Sequence, residues 1–285
     1  MNIELKNVDY IYNKDTKNPS YALKDINLTI RKHEIIGLIG QTGSGKSTLV
    51  QLLNGLLIPS NGDVLIDGIN TKEKSKRRDI RFKVGLVFQY PENQLFEETV
   101  AKDIAFGPKN MGLDDEEIEK RVQSSMEAVG LDYEKIKDKS PFELSGGQQR
   151  RVAVSGIISM NPKVLVLDEL TAGLDPKGRD DIFEEILKLY DNDPELSIVL
   201  VSHSMEDVAK YVDRVVVMNK GEIFSDKSTY ETFTHTDLLS IGLDIPQVTK
   251  FMRELKKRDE NVRDDIYTVD DAVGELKKYL EAKND

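Results

Sequence analysis

The stretch "GQTGSGKS" (40–47) decides the fold of this 285-residue chain. It fits the pattern G-x-x-x-x-G-K-[S/T] and follows "EIIGLIG" (34–40), an apolar run typical of a buried strand. The apolar residues of "KSTLVQLLNGLL" (46–57) then recur at helical spacing. A strand, a glycine-rich turn and a helix in this order form a phosphate-binding loop, because the turn brings backbone N–H groups to the phosphates and the helix N-terminus adds a positive dipole end. We therefore expect a nucleotide site here.

Two residues of this loop have expected chemical roles. Lys46 is placed to reach the β- and γ-phosphates, and the Ser47 hydroxyl is placed to bind Mg²⁺. A glycine-rich turn without a ligand is the alternative. Chance matches to the pattern are expected on the order of one in a hundred chains of this length, given the usual glycine content.

The run "VLVLDE" (164–169) supplies acidic partners for the loop. An apolar strand that ends in two carboxylates places them at the carboxyl edge of a parallel sheet, beside the phosphate loop. We expect Asp168 to hold the Mg²⁺ shell and Glu169 to polarise the attacking water. Solvated acids at a strand end are common, so this interpretation depends on the loop.

Three further residues leave two interpretations open. Gln89 ends the apolar run "KVGLVFQ" and could touch Mg²⁺ or water, while His203 follows "SIVLVS" and could bond the γ-phosphate. Tyr12 could stack on adenine. Taken singly, a solvated strand end, a structural histidine and a core aromatic are the more common explanations of these residues.

Charge and composition exclude several functions. With 40 basic and 51 acidic residues the net charge is −11, which disfavours nucleic-acid binding because that binding depends on Lys and Arg neutralising phosphates. The absence of cysteine excludes disulfides and thiolate metal sites. No signal pattern and no apolar run of about 18–20 residues is present. We expect a soluble, cytoplasmic chain that reaches a membrane only by docking on another protein.

Strand and helix patterns alternate through the chain as far as residue 228. This rhythm predicts an α/β fold with a parallel sheet, preceded by two strands, 3–12 and 21–30, that are joined by a polar turn. Beyond residue 228 the chain is more charged, and two amphipathic helices are expected in 246–259 and 268–283.

The order and spacing of these motifs resemble an ABC-type ATPase over residues 3–225. The segment "LSGGQ" (144–148) is similar to the signature of that family, and "AGLD" (172–175) is similar to its D-loop. The resemblance implies a P-loop NTPase with a RecA-like core, an N-terminal antiparallel β subdomain, an ABC-type helical subdomain over about 91–160 and a C-terminal helical extension. It implies an ATPase domain over 1–227 and a dimerisation-related appendage over 228–285.

The resemblance also implies a set of site residues. Catalytic roles fall on Glu169, His203 and Gln89. Mg²⁺ ligation falls on Ser47, Gln89 and Asp168. Nucleotide contacts fall on Tyr12, Gly40, Gln41, Thr42, Gly43, Ser44, Gly45, Lys46, Ser47 and Thr48, and on Ser145, Gly146, Gly147 and Gln148. The last four would act in trans, reaching the γ-phosphate of ATP held by the opposite subunit of a head-to-tail dimer.

The run "QYPENQLFEETV" (89–100) carries a narrower resemblance, to the ATPase subunits of energy-coupling factor (ECF) transporters and to the second of their two related A-type subunits. It implies a second ATPase subunit, related but non-identical or a second copy of this chain, and a position on the cytoplasmic face of the membrane. The implied membrane partners are a transmembrane T component and an S component that captures a vitamin or other micronutrient. Leu95 and Phe96 are candidates for contact with the membrane partner, with burial in the helical subdomain as the alternative.

Two residues depart from the family pattern. His33 stands where a glycine is usual, and Leu170 stands where a proline is usual after the catalytic Glu. Two other functions stay open beside the transport motor. One is a soluble ABC-type ATPase not tied to transport, and the other is a nucleotide-binding regulatory module without turnover. Glu169 and His203 disfavour the regulatory module.

Overall fold

The structure, a computed structural model, describes residues 2–284, and it describes side chains as far as residue 281. The described residues form two β-sheets. Their strands are β1 (Ile3–Tyr12), β2 (Ser20–Ile30), β3 (Ile35–Gly40), β4 (Asn61–Ile66), β5 (Ile69–Asn70), β6 (Val84–Val87), β7 (Val164–Asp168), β8 (Ser197–Val201), β9 (Arg214–Asn219) and β10 (Glu222–Ser228).

The helices lie mainly on one side of the larger sheet. They are α1 (Lys46–Leu53), α2 (Arg77–Lys83), α3 (Val100–Met111), α4 (Asp115–Ala128), α5 (Tyr133–Ile136), α6 (Gly146–Ile158), α7 (Pro176–Asn192), α8 (Met205–Tyr211), α9 (Thr229–His235), α10 (Gln247–Arg258) and α11 (Val269–Asn284). The helix predicted for 46–57 ends earlier, at Leu53, because Gly55 takes a left-handed φ of +70° just beyond it.

The two sheets differ in strand direction. In the described chain the smaller sheet has the order β2-β1-β4-β5, and its pairs are antiparallel. The larger has the order β10-β9-β3-β8-β7-β6, and it is parallel except for the β9–β10 pair. The predicted parallel core and N-terminal antiparallel sheet are confirmed.

Strand β3 joins two hydrophobic cores, because successive side chains of a strand point to opposite faces. Ile36 and Leu38 pack with α1 and the antiparallel sheet, whereas Ile35 and Ile39 pack on the side of the helices. Strands buried on both faces are continuously apolar, as "VLVL" in β7 shows. The carboxyl ends of β3, β6, β7 and β8 therefore meet at one edge of a rigid sheet.

The chain beyond β10 packs in two parts. Phe233, Leu238, Leu243 and Ile245 are buried in the main core, beside α8 and β9. Helices α10 and α11, which agree with the two predicted amphipathic helices, enclose a smaller core of Met252, Val262, Ile266 and Ala272. The domain boundary at 227/228 and the dimerisation role of the appendage stay predictions.

Both departures from the family pattern have a structural counterpart. His33 adopts a φ of +53° and stacks on Tyr190, with ring centroids 4.2 Å apart. The turn before β3 is thus left-handed, which explains why glycine suits it and why histidine costs some strain. Leu170 is buried, and its carbonyl oxygen accepts a hydrogen bond from Arg150.

Candidate active site

The phosphate loop is built around Gly45, which caps the N-terminus of α1 with a φ of +106°. A Cβ atom there would lie 2.7 Å from the carbonyl oxygen of Ala22, so only glycine fits. Lys46 follows with a side chain only 6% exposed, and its Nζ donates to the carbonyl oxygens of Gly40 at 2.6 Å and Gln41 at 3.1 Å. The ammonium thus lies under the loop, held by two weak acceptors that a phosphate could replace.

Two opposing effects act on the pKa of Lys46. Burial lowers it, while the nearby charges of Glu169 and Asp168 act in the opposite direction. The pKa of Lys46 is lowered because the effect of burial exceeds that of the two carboxylates. A polyphosphate would add negative charge beside the ammonium.

The mouth of the loop is open. Gln41, Thr42, Gly43 and Ser47 are exposed, whereas Ser44 and Thr48 are buried. The Tyr12 hydroxyl lies 3.2 Å from Thr48 Oγ1, and its half-exposed ring meets Tyr10 edge to face. The structure therefore places Tyr12 beside the loop, where the sequence alone left it as either a core aromatic or an adenine contact.

Three predicted residues meet at the carboxyl edge of the large sheet. Glu169 Oε2 accepts a hydrogen bond from Gln89 Nε2 at 2.8 Å, and Glu169 Oε1 lies 2.9 Å from His203 Nε2. These residues follow β7, β6 and β8, strands that neighbour one another. The Glu169 carboxylate is therefore held from both sides at a defined position.

Asp168 precedes Glu169 and is half-buried. Desolvation and the adjacent charge of Glu169 raise its pKa, against the opposing charges of Lys46 and His203. Lys46, which acts on the Asp168 carboxyl, is followed at the start of α1 by Ser47, which is exposed and carries a hydroxyl. Carboxylate, hydroxyl and amide oxygens are the ligand types that suit Mg²⁺, so the donor set fits that cation.

Backbone strain marks the same edge. Glu169 adopts a φ of +52° and Tyr90, directly after Gln89, a φ of +55°. Left-handed conformations of residues other than glycine cost of order 1–3 kcal/mol and persist where the surroundings fix them. Here the Glu169 N–H donates to the Val201 carbonyl of β8 at 3.0 Å, which fixes the turn.

Sequence reasoning missed a buried network centred on Arg150 of α6. Its guanidinium binds the Glu92 carboxylate at two points, with Nε–Oε2 at 3.0 Å and a terminal nitrogen to Oε1 at 2.7 Å. It also donates to the carbonyl oxygens of Leu170 and Ala172. One side chain thus joins the signature helix, the segment after Gln89 and the turn after Glu169. The charged residues of "PENQ" and "GGQQRR" were the available signals.

The signature turn faces outward. Ser145 caps α6: its hydroxyl accepts from the Gln148 N–H, and the Gln148 side chain accepts from the Ser145 N–H at 3.2 Å. Residues 145–148 are exposed, and a Cβ added at Gly146 or Gly147 would meet nothing within 4 Å. Packing within the described chain thus does not require glycine at either position. Close approach by a group from outside would require it.

An apolar groove of about 330 Å³ opens between α3, α6 and the segment after Gln89. Phe96 is 58% exposed and meets Phe106 edge to face with centroids 5.1 Å apart. Leu95 also lines the groove but is buried in the core. Of the two residues proposed from sequence for a partner contact, only Phe96 presents an exposed side chain.

Comparison with known proteins settles the family. The sequence profile described as "ABC transporter" matches residues 23–172. The chain is 54% identical over 286 residues to the energy-coupling factor transporter ATP-binding protein EcfA2 of Clostridium perfringens (strain 13 / Type A), covering 100% of each chain. The chain belongs to the ABC transporter family of ATP-binding proteins. A further EcfA2, from Symbiobacterium thermophilum, is 47% identical and covers 98% of this chain and 97% of the relative.

Solved ABC structures agree with the fold of this ABC ATPase. One is the ATP-binding cassette MJ0796, in a dimeric post-hydrolysis state bound to ADP and phosphate: TM-score 0.70, 31% identity, coverage of 80% of this chain and 98% of that one. Another is CbiO1 from Clostridium perfringens, part of the ABC transporter complex CbiONQ: TM-score 0.74, 34% identity, coverage of 90% and 95%. The chain is an ABC-type, ATP-binding ATPase. Within residues 2–284, none of the helices has the length and apolar character needed to cross a membrane.

Proposed function

We propose that this ABC ATPase is the motor subunit of an ECF-type importer. It would couple ATP binding and hydrolysis to the uptake of a vitamin or other micronutrient by membrane partners, working from the cytoplasmic face of the membrane. The observation that carries the hydrolytic part is the Glu169 carboxylate, held between Gln89 and His203 beside the phosphate loop. A module that only bound nucleotide would not need a carboxylate fixed at that edge.

We assign the chemistry as follows. Lys46 exchanges its two carbonyl acceptors for phosphate oxygens, and Ser47, Asp168 and Gln89 hold Mg²⁺, which offsets phosphate charge when bound. Glu169 accepts a proton from, and orients, the water that attacks the γ-phosphate. His203 and Gln89 hold that carboxylate in one orientation, and their contacts can change according to whether the γ-phosphate is present.

The open signature turn supports the dimer part of the proposal. A helix N-terminus favours an anion by up to about 2 kcal/mol in a partly buried setting, and the exposed turn of α6 has room for one. The γ-phosphate of a nucleotide bound by a second ATPase subunit would be the anion at this helix N-terminus. Only ATP then bridges the two subunits, so hydrolysis opens the dimer. The difference between the binding of ATP and that of ADP thus drives a movement of the two subunits.

The exposed pair Phe96 and Phe106 supports the membrane coupling. Two large aromatic side chains beside an apolar groove suit an apolar segment of another protein. We propose that a helix of the transmembrane T component docks there and that a separate S component captures the solute. The relatives named EcfA2 are by name subunits of energy-coupling factor transporters, which supports this choice over an ATPase unconnected with transport.

The proposal is tested by recovery of partners from membranes. Affinity-tagged full-length chain, expressed with its native membrane proteins, is purified from detergent-solubilised membranes, and the co-purifying chains are identified by mass spectrometry. We expect one multispanning protein, one small membrane protein and a second ATPase. Recovery of the ATPase alone would contradict the transport role.

Paired variants separate docking from folding. Phe96→Ser with Phe106→Ser should lose the membrane chains and keep ATP binding, because it removes the exposed apolar pair. Phe224→Ser is the matched control, since Phe224 is a half-exposed aromatic on β10, away from the groove. Equal recovery with both preparations would remove the groove from the coupling role.

A further inference from the structure

A strongly basic surface lies beside the apolar groove. It is formed by residues 72–83, which include a short 3₁₀ turn, Lys74–Lys76, and helix α2. These residues comprise seven basic and two acidic side chains, a net charge of +5, in a chain whose total is −11. The remaining residues therefore carry a net charge of −16, and positive charge is concentrated in one short segment of an acidic protein.

Most of these positive charges have no acidic partner. Lys72 Nζ lies 3.0 Å from an Asp63 carboxylate oxygen, and Lys83 Nζ lies 3.7 Å from one of Asp67. Among the residues whose side chains the structure describes, the other five have no carboxylate within 4 Å. These five are Lys74, Lys76, Arg77, Arg78 and Arg81. Their charge is therefore left for a group from outside the chain.

Helix α2 is fixed with its basic side chains outward. Ile80 is buried in the core that includes the antiparallel sheet, whereas Arg78 and Arg81 are exposed. The Arg78 guanidinium lies over the Phe82 ring, 5.8 Å from its centroid, and donates to the Asn110 carbonyl of α3. The basic surface thus has a defined position relative to α3.

The basic surface is continuous with the groove. Phe82 and Asn110, the two residues that Arg78 contacts, both line it. Asp103, an acidic residue of the groove lining, accepts two backbone N–H groups at 2.9 Å, so its charge is already hydrogen-bonded. A transmembrane protein that docked in the groove would bring the adjoining basic surface to the bilayer.

We propose that residues 72–83 bind anionic lipid headgroups of the membrane on which this ATPase works. The inference rests on the proposed docking of the T component in the groove. Clusters of four to eight Lys and Arg residues beside a membrane-spanning segment attract anionic lipids, and each basic residue strengthens the binding by about fivefold. Exposed, flexible side chains spread over a turn and a helix suit a fluid layer of headgroups, which adapts to them, better than an acidic protein segment of fixed geometry.

The charge of the rest of the chain adds orientation to this attraction. An anionic membrane repels the residues outside 72–83, whose net charge is −16, while it attracts the basic surface. The two effects together turn the groove toward the membrane. The same negative charge disfavours nucleic acid as the ligand of the basic surface.

The test measures partition of the purified full chain onto vesicles by sedimentation at low ionic strength. The unmodified chain should bind phosphatidylcholine vesicles that contain phosphatidylglycerol, should not bind vesicles of phosphatidylcholine alone, and should be released by added salt. The triple variant Lys74→Gln, Lys76→Gln and Arg81→Gln removes three exposed, unpaired charges outside the groove lining. It should weaken the partition about 100-fold. Absence of binding by the unmodified chain would overturn the proposal.

A second triple variant separates the basic surface from net charge. Lys120→Gln, Lys227→Gln and Lys277→Gln change the total charge equally, at exposed positions on α4, β10 and α11. This control should bind the vesicles as the unmodified chain does. An equal loss of binding in both triple variants would overturn the proposal, because the position of the charges would then not matter.

Recovery of partners in detergent distinguishes lipid from an acidic protein segment. No bilayer is present there, so the triple variant at 74, 76 and 81 should keep the membrane chains that co-purify with the unmodified chain. Loss of those chains would show that the basic surface binds protein, and would overturn the proposal.

The vesicle assay also separates this inference from the proposed function, because it uses the ATPase chain alone. Phe96→Ser with Phe106→Ser should keep the partition onto anionic vesicles, since the basic surface is intact. If the membrane chains co-purify but the chain does not bind anionic vesicles, only the inference about lipid fails. If the chain binds the vesicles through 72–83 but no membrane chains co-purify, the transport function fails and the lipid surface stands.

Discussion

The Glu169 carboxylate lies 2.9 Å from His203 Nε2, although the two residues follow different strands, β7 and β8. The parallel register of these strands, with Asp168 opposite Val201, brings the two side chains to one edge. Gln89 reaches the same carboxylate from β6 on the other side. A carboxylate held at two points keeps one orientation toward a water molecule, which is what proton abstraction requires.

The first prediction concerns this carboxylate. Glu169→Gln keeps the shape but cannot take a proton, so turnover should fall by about 10²–10⁴ while ATP affinity is retained. Steady-state phosphate release and equilibrium ATP binding measure the two quantities. Glu184→Gln, on the exposed side of α7, is the control and should be fully active. Near-normal hydrolysis by Glu169→Gln would remove Glu169 from the role of base.

The second prediction concerns the pKa of Asp168, which burial and Glu169 raise above 3.8. Between 3.8 and the raised value the folded chain binds more protons than the unfolded chain, so the free energy of unfolding falls as pH rises through that window. Above the window the buried charge is a constant cost to the nucleotide-free protein. Asp168→Asn should therefore raise the melting temperature at pH 7.5 and abolish Mg²⁺-dependent hydrolysis.

Scanning calorimetry without nucleotide, at pH 7.5 and at a pH close to 4, checks this linkage. The gain from Asp168→Asn should shrink at the lower pH, where a larger fraction of the Asp168 carboxyl of the unmodified chain is protonated. A lower melting temperature for Asp168→Asn at pH 7.5 would show that Lys46 outweighs the cost of burial.

The third prediction concerns Arg150, whose side chain is 5% exposed and joins Glu92 to the turn after Glu169. Arg150→Ala leaves Glu92 and two carbonyl oxygens without their donor, and breaking a buried ion pair in this way costs about 3–5 kcal/mol. Denaturant unfolding should show a loss of that order. Arg121→Ala, which breaks an i,i+4 pair with Glu117 on α4, should cost only about 0.3–0.5 kcal/mol.

Arg150→Lys tests the coupling role separately from stability. Lysine keeps the charge but cannot bind the carboxylate at two points and two carbonyls together. We expect a folded protein with reduced ATP turnover, because the segment after Gln89 and the turn after Glu169 are no longer tied together. Full turnover with Arg150→Lys would limit Arg150 to a structural role.

The fourth prediction concerns action across a dimer. Ser145→Arg places bulk at the open turn of α6 and should leave ATP binding to the isolated chain nearly unchanged while dimer hydrolysis is lost. In a mixed complex, nucleotide occupancy should fall at the site whose phosphate loop belongs to the other subunit. Ser124→Arg, at an exposed position of α4, is the control. A loss of occupancy at this chain's own Lys46 site would contradict the trans assignment.

The sequence by itself determined the elements whose signal is local. The pattern 40–47 fixes a strand, a turn and a helix, because glycine is needed at Gly45 and the lysine must follow it. Apolar strands buried on both faces can be recognised from their own residues. The residues that follow such parallel strands are then expected at one edge of the sheet. Glu169 was expected at this edge from its strand, whereas the roles of Gln89 and His203 came from the family resemblance. The structure places Gln89 and His203 each within hydrogen-bond distance of Glu169.

Tertiary structure alone decided helix α3. Residues 100–111 include the pair Gly107-Pro108, which is ordinarily a turn signal, and their own pattern predicted no helix, although the family resemblance implied a helical subdomain over about 91–160. Pro108 cannot bond the Ile104 carbonyl, but the Ser159 hydroxyl donates to that carbonyl at 3.1 Å. Gly107 lets Met160 approach to a distance that a side chain would forbid. The helix can continue through Pro108 because Ser159, which is distant in sequence, supplies the hydrogen bond to Ile104 that Pro108 cannot make.

The same holds for the contacts that join the site to the rest of the molecule. Nothing local in "PENQ" pairs Glu92 with Arg150, and nothing in "RRDIRFK" indicates that Phe82 lines a groove with Phe96. Local backbone preferences and the hydrophobic period act within a few residues, so they can be recognised from a single sequence. Which distant segments share a space depends on how all the apolar faces pack at once, and only the folded chain decides that.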